Sequence, residues 1–290
     1  MKRAYLDNKF LQSTLDLINS VNVIIEEYLA QGFTLTLRQL HYQFVSRDLY
    51  ANTIENYNRL GTAVSKGREA GLISWTAIED RGRNLMGLDT WTNPAAAVKE
   101  MRKRYRRDLW ERQPCRPEVW IEKQALEGVI GKICNDLRVD FFATRGYNSQ
   151  SEQWRAGRRF AGYYQKGQRP IVLHLGDHDP SGIDMTRDNR ERLELFCGAP
   201  VHVIRLALNM EQVEEIKPPP NFAKDTDSRF AAYEARYGSE SWELDALDPV
   251  YINNLIEETV AKFRDEATWE KSLEIETNDK DQLDMVIERL

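Results

Sequence analysis

The chain has 290 residues, long enough for one large domain or two modest ones, with a core that needs no disulfide or metal to hold it. Hydrophobic residues make up 41% and charged residues 30%, which excludes collagen-like, mucin-like and wholly disordered chains. The formal net charge of −6 is uneven: residues 1–118 hold 18 Lys and Arg against 14 Asp and Glu, and residues 119–290 hold the other 22 against 32. A basic first part suits nucleic acid, and an acidic second part suits a cation site or a solvated face.

No run approaches the ~18 consecutive apolar residues of a membrane span. The first residues, MKRAYLDNKFLQST, hold no apolar stretch of a secretory leader. Cys115, Cys134 and Cys197 lie far apart, form no C-x-x-C and have only four histidines to join them. A reducing compartment is expected, with no zinc site; the expected location is the cytoplasm, at the nucleoid.

Residues 9–30 predict a helix, with Leu11, Leu15, Ile18, Ile25 and Leu29 recurring on one face and Gly32 as the stop. Thr34 or Thr36 then caps a short helix carrying Leu37, Leu40, Phe44 and Val45. A further helix runs from about Asn52 to Glu69, with Ile54, Tyr57, Leu60 and Val64 inward and Gly71 at its end. LISWTAIED reads as a short extended wing. Together these predict a winged helix-turn-helix DNA-binding domain over residues 1–91; a generic small helical domain is the other reading.

Residues 92–116 form a basic connector. It carries Arg102, Lys103, Arg104, Arg106, Arg107, Arg112 and Arg116, interleaved with Tyr105 and Trp110 and partly offset by Asp108 and Glu111. Such a segment tracks phosphates, or is a solvated helix face between domains. From Pro117 the pattern becomes strand–helix alternation: PEVWIE, VDFFAT, RPIVLHLGD and VHVIRLAL read as strands, separated by helices. That is an α/β parallel sheet with helices on both faces over residues 117–206, whose ligands bind at the carboxyl ends of the strands. Residues 207–290 read as a mainly helical acidic extension, with an extended loop at EEIKPPPNF, a helix from about Val250 to Phe263 and an acidic helical end.

Glu122 ends the first strand and Asp177 and Asp179 end the third, so the sheet delivers three acids to one edge. Asp177 and Asp179 are two apart and point the same way on an extended backbone. Three converging carboxylates repel one another without a cation, and hard oxygen donors suit Mg²⁺ or Mn²⁺. Gly176 and Gly182 allow tight turns there, and Pro180 stiffens the exit. Taken alone, D-H-D-P-S-G also reads as a strand-to-helix turn with an Asp cap. WELDALDP adds Glu243, Asp245 and Asp248, read as a solvated helix start in preference to further carboxylates of the site.

A strand ending in Glu-Lys, followed by hydrophobic-Gly-Asp-x-Asp-Pro-x-Gly, resembles the TOPRIM domain of topoisomerases, primases and related nucleases. The D-x-D-P-x-G form is most similar to the topoisomerase VI A subunit and its relative, the meiotic double-strand-break protein. TRGYNSQSEQWRAGRRF falls where that family has a Gly-Tyr turn and an Arg-bearing helix. The likeness covers roughly residues 34–85 and 117–206. It implies a winged helix with a catalytic tyrosine and an Arg four residues before it. LRQLHYQF supplies Arg38 and Tyr42 at that spacing, on one helix face. His41 stands where the family commonly has a second tyrosine. Packing of Tyr42 under the wing is the other reading; Tyr50 and Tyr57 read as core or surface aromatics.

The resemblance implies Mg²⁺-dependent DNA strand cleavage in which Tyr42 becomes linked to a 5′ phosphate. Arg38 clamps the phosphate, Glu122, Asp177 and Asp179 hold the metal, or Glu122 acts as general acid or base. DNA contacts are expected from Lys123, Arg102, Lys103, Arg104, Arg106 and Arg107. In such enzymes the tyrosine of one subunit meets the metal site of the other, so a homodimer is expected. ATP-driven strand passage would need a separate ATPase subunit, since this chain shows no Gly-rich phosphate loop. A compact form of this kind suits a prophage or mobile element. Two alternatives stand beside it: a metal-only TOPRIM nuclease that hydrolyses DNA or RNA, and a non-catalytic DNA-binding accessory protein.

Overall fold

Local rules account for the first three helices of the chain. The computed structural model describes residues 2–78, 88–144 and 146–290. Helices α1 (Gln12–Ala30), α2 (Leu37–Ser46) and α3 (Ile54–Glu69) come first. Thr36 caps α2 in a reciprocal box with Gln39, and Thr53 caps α3 by accepting from Asn56 N. Ile18, Val21, Ile24 and Ile25 of α1 pack on Leu40, Phe44, Leu60 and Val64, closed by Ile73 and Ile78. Each such side chain contributes roughly 1.5–3 kcal/mol when fully buried.

The expected wing is absent from the described part of its segment. Residues 72–78 form turns, with one parallel bridge between Leu35 and Ile78; residues 79 and 80 lie outside the described residues. Arg68 donates to the carbonyls of Trp75 and Ile78, supplying donors that a second strand would otherwise provide. Helix α4 (Pro94–Arg104) follows, with Asn93 as its cap and Pro94 in its first turn.

Strands β1 (Cys115–Ile121), β2 (Asp140–Ala143), β3 (Arg169–Leu175) and β4 (His202–Ala207) form one parallel sheet in the order β2-β1-β3-β4. Helices α5 (Glu127–Asp136), α6 (Gln150–Gln165) and α7 (Pro180–Cys197) connect them. The alternation of strand side chains divides the core between two faces. Val119, Ile121, Leu173 and Leu175 face Val129, Ile130 and Cys134 of α5. Trp120 and Val172 face Phe160 of α6 and Leu193 of α7. At Gly157 a side chain would put its Cβ 2.4 Å from that of Phe196, so a glycine there lets α6 approach α7.

Beyond the sheet come α8 (Met210–Ile216), β5 (Asn221–Phe222), α9 (Phe230–Tyr237), β6 (Glu240–Ser241), α10 (Pro249–Ala261) and α11 (Glu266–Ile287). Strands β5 and β6 pair antiparallel, Asn221 with Ser241 and Phe222 with Glu240. Ile252, Ile256 and Val260 of α10 and Trp269 of α11 lie in the same buried cluster as Val119 and Leu173. The acidic extension therefore completes the core on one face of the sheet. No described helix is long and apolar enough to cross a membrane.

Candidate active site

The site begins where β1 and β3 end side by side. Glu122 N donates to Leu175 O at 2.8 Å, extending the ladder by one residue. The chain then turns, and Asp177 N donates to Glu122 Oε2 at 2.9 Å. Asp179 caps α7, its Oδ1 accepting from Gly182 N at 2.6 Å. A Cβ on residue 182 would lie 2.1 Å from Asp177 O, so the turn requires glycine there. His178, between the two aspartates, faces the other way into Tyr233, Tyr237 and Trp242. Asp177 and Asp179 line one cleft, as their alternation requires.

A strap from the C-terminal extension meets them. His178 and Trp242 exchange backbone hydrogen bonds of 2.8 and 3.0 Å, which bring Glu243 and Asp245 to the sheet end. Lys123 Nζ lies 3.0 Å from Asp177 Oδ2, 2.8 Å from Glu243 Oε2 and 2.9 Å from Asp245 Oδ1. Leu244 N donates to Asp177 Oδ1 at 2.8 Å. The reading of this segment as a solvated helix start is overturned: the Asp245 side chain is fully buried. Asp248 is also engaged, accepting from Val250 N and from the Tyr28 hydroxyl, each at 2.7 Å.

Helix α2 closes the other side. Arg38 Nε lies 2.7 Å from Asp245 Oδ2, and the same guanidinium pairs with Glu243. One turn on, Tyr42 lines the same cleft as Glu243, and the Arg38 guanidinium lies 5.9 Å from the Tyr42 ring centre. Arg38, Tyr42, Lys123, Asp177, Asp179 and Glu243 line a cleft of about 580 Å³. Tyr42 thus lines the same cleft as Asp177 and Asp179 of its own chain. The link is the strap: Glu243 and Asp245 tie α2 to Lys123 within one chain.

The charges are crowded. Burial, reinforced by the Asp177 charge, pushes Glu122 up to about 7. Burial also lifts Asp177 to about 6, against the pull of Lys123. Burial opposes the Glu243 charge, but Lys123 and Arg38 hold that carboxylate down to about 2. Burial, with Asp245 and Glu243 close by, drives the Tyr42 phenol well above its usual range. Burial works against the Lys123 ammonium, yet Asp177, Asp245 and Glu243 together keep it charged far above its usual range.

Among the described residues no three His, Cys, Asp or Glu side chains stand together as a ready metal cage. The donor chemistry nevertheless fits a hard divalent cation. Glu122, Asp177 and Asp179 offer only oxygens, the donor type such a cation takes, and burial raises both Glu122 and Asp177, so a bound cation would favour their charged forms.

Arg205 of β4 was not among the residues that motif spacing marked. Its guanidinium donates to the carbonyls of Asp177 (2.6 Å), Gly182 (2.8 Å), Gly176 and Leu208 (both 3.1 Å), holding the D-H-D-P-S-G turn in place. The signal was an arginine inside the apolar run VHVIRLAL. Behind the sheet, the buried Glu118 accepts two bonds of 2.8 Å from the exposed Arg159.

The connector stands apart from the cleft. Arg102 makes a two-pronged contact with Asp284 of α11 at 2.8 and 2.9 Å. Arg107 reaches Asp279 at 3.1 Å, and Lys103 and Arg104 reach Glu100 at 3.4 and 3.1 Å. Arg106 donates to the carbonyls of Lys103 and Tyr105, both at 2.8 Å. These are the residues read as phosphate contacts; here carboxylates or carbonyls engage each of them. Of the Gly-Tyr turn, Arg145 lies outside the described residues, and Tyr147 donates to Asp184 at 2.6 Å.

No family model matches the chain, and neither does any curated protein or solved structure.

Proposed function

We propose that the chain is a phosphodiester-cleaving enzyme of type IIB topoisomerase-like kind, acting on DNA, with Tyr42 as nucleophile. The observation that carries this reading is the meeting of α2 with the sheet end: Arg38 and Tyr42 share one cleft with Lys123, Asp177 and Asp179. A guanidinium and an ammonium suit a phosphate, and a phenol one helical turn from that guanidinium suits in-line attack.

Glu122, Asp177 and Asp179 would hold a divalent cation, Mg²⁺ or Mn²⁺. When bound, it supplies positive charge to the phosphate oxygens as they gain negative charge. The chain's own groups do the rest. Arg38 and Lys123 orient the phosphate. The Tyr42 oxygen bonds to phosphorus as the P–O3′ bond breaks. The phenol proton passes to water in the cleft, because Lys123 and Arg38 hold the neighbouring Glu243 as a weakly basic carboxylate. The departing 3′ oxygen takes a proton from water; only if Glu122 stood outside the metal's ligands would it supply that proton instead. The products are a 5′-phosphotyrosyl link and a 3′ hydroxyl. Cutting both strands takes two clefts, so a homodimer is part of the proposal. ATP-driven passage would add a separate ATPase subunit.

One observation favours a second reading. Tyr42 is only 5% exposed, and its phenol is held in the protonated form. In a hydrolytic nuclease water replaces it, and Tyr42 only packs beside Arg38. Plasmid cleavage with Mg²⁺ or Mn²⁺ separates the two, followed by denaturation with and without protease. Protein attached to 5′ ends, with cleavage reduced at least ~10³-fold in Tyr42→Phe and Asp177→Ala, supports the tyrosine route. Free ends from an active Tyr42→Phe select hydrolysis. Binding without cleavage in any metal leaves an accessory protein.

A further inference from the structure

We infer that Phe222 is a base-stacking residue, so that the cleft takes DNA with an unpaired base beside the bound phosphate. This rests on the DNA reading above and names the kind of DNA. Phe222 is 90% exposed and Ile54 is 81% exposed, and both line the mouth of the cleft that holds Arg38 and Tyr42. They come from separate walls: Ile54 opens α3, and Phe222 lies in the β5–β6 pair.

An aromatic ring kept in water gains nothing for the fold. The strand that carries it is also held in place. Asn221 accepts from Asn52 Nδ2 at 2.9 Å and donates to Glu243 Oε1 at 3.4 Å, and Ser241 Oγ donates to its carbonyl at 3.4 Å. Pro218, Pro219 and Pro220 precede it, and their fixed φ limits the entropy lost when the strand is held. The anchor shares Glu243 with Lys123 and Arg38, so the strand that carries the ring has a set position relative to those two cations. Lys224, two residues on, also lines the cleft and makes no ion pair among the described residues. A free ammonium beside an open aromatic face is what one nucleotide step offers partners for: its phosphate and its base. In intact duplex that base is stacked, and freeing it is costly. An unpaired base avoids most of the cost.

The test uses the full chain without divalent metal and a duplex carrying one unpaired 5-iodouracil, compared with the fully paired duplex. Wild type should bind the unpaired form about tenfold tighter, and light should crosslink that base to the peptide containing Phe222. Phe222→Ala should lose the preference and the crosslink, and Phe222→Trp should keep both. The ring is exposed, so neither variant threatens folding. Equal binding of both duplexes by wild type, or a preference retained in Phe222→Ala, overturns the inference while DNA binding itself stands. No binding of either duplex overturns the DNA reading and this inference with it. A dimer that Phe222→Ala converts to monomer, with DNA binding unchanged, assigns the ring to a contact between copies and also overturns it.

Discussion

Two regions of this molecule concentrate charge, and they handle it in opposite ways. In the cleft, Glu122, Asp177, Glu243 and Asp245 are withdrawn from water around Lys123 and Arg38, and Glu122 and Asp177 are pushed towards neutrality. In the seam between α4 and α11, Arg102 and Arg107 meet Asp284 and Asp279 at the surface, one acid to each base. The seam resembles ordinary surface pairing, which water and salt screen. The cleft keeps more acids than its cations neutralise, in a place where desolvation makes that costly. Such an imbalance is what a site of chemistry would carry, and it supports the function proposed for the cleft, whereas the seam carries none of it.

The comparison is tested most severely at Lys123. Lys123→Met leaves Asp177, Glu243 and Asp245 without their shared ammonium, and a loss of about 3 kcal/mol in urea-unfolding stability is expected. A loss no larger than that of a surface substitution would erase the distinction. A smaller effect comes from His174, buried under the site with Nδ1 2.8 Å from Thr186 Oγ1. Burial and the nearby Arg205 charge lower its pKa to about 3. The folded imidazole stays neutral while the unfolded one gains a proton near pH 6.5. Its stabilisation is therefore complete above that pH and fades as pH falls towards 3. Between about pH 8 and pH 5 the fading amounts to about 2 kcal/mol, and His174→Gln should flatten the profile by that amount. The smallest effect belongs to the seam. Arg102→Ala should leave the unfolding midpoint unmoved within error, and what difference remains should vanish in about 0.5 M salt. A clear loss there would show that the seam holds the extension in place.

Most of the architecture was legible because it follows from neighbours in the chain. Thr36 and Gln39 form a box three residues apart, and the strand–helix alternation after Pro117 folds into the expected parallel sheet. The wing was not legible. Its apolar residues suited a strand, but Arg68, from the preceding helix, engages the carbonyls of Trp75 and Ile78. The partners of the connector were not legible either. Its run of basic residues matches a phosphate track in composition, and the carboxylates that engage two of them lie on α11, more than a hundred residues away.

By itself the amino-acid sequence determined where Glu122, Asp177 and Asp179 would stand. Each is fixed by the end of a strand, and the parallel sheet puts those ends together whatever follows. Tertiary structure alone decided what joins them. Arg38 and Glu243 are 205 positions apart, and Lys123 and Asp245 are 122 apart. No spacing rule reaches across such distances, because these contacts depend on how α2, the sheet and the strap pack rather than on any periodicity of one element. The placing of Glu243 and Asp245 at the cleft, and of Phe222 at its mouth, became visible only once the extension had folded back over the sheet.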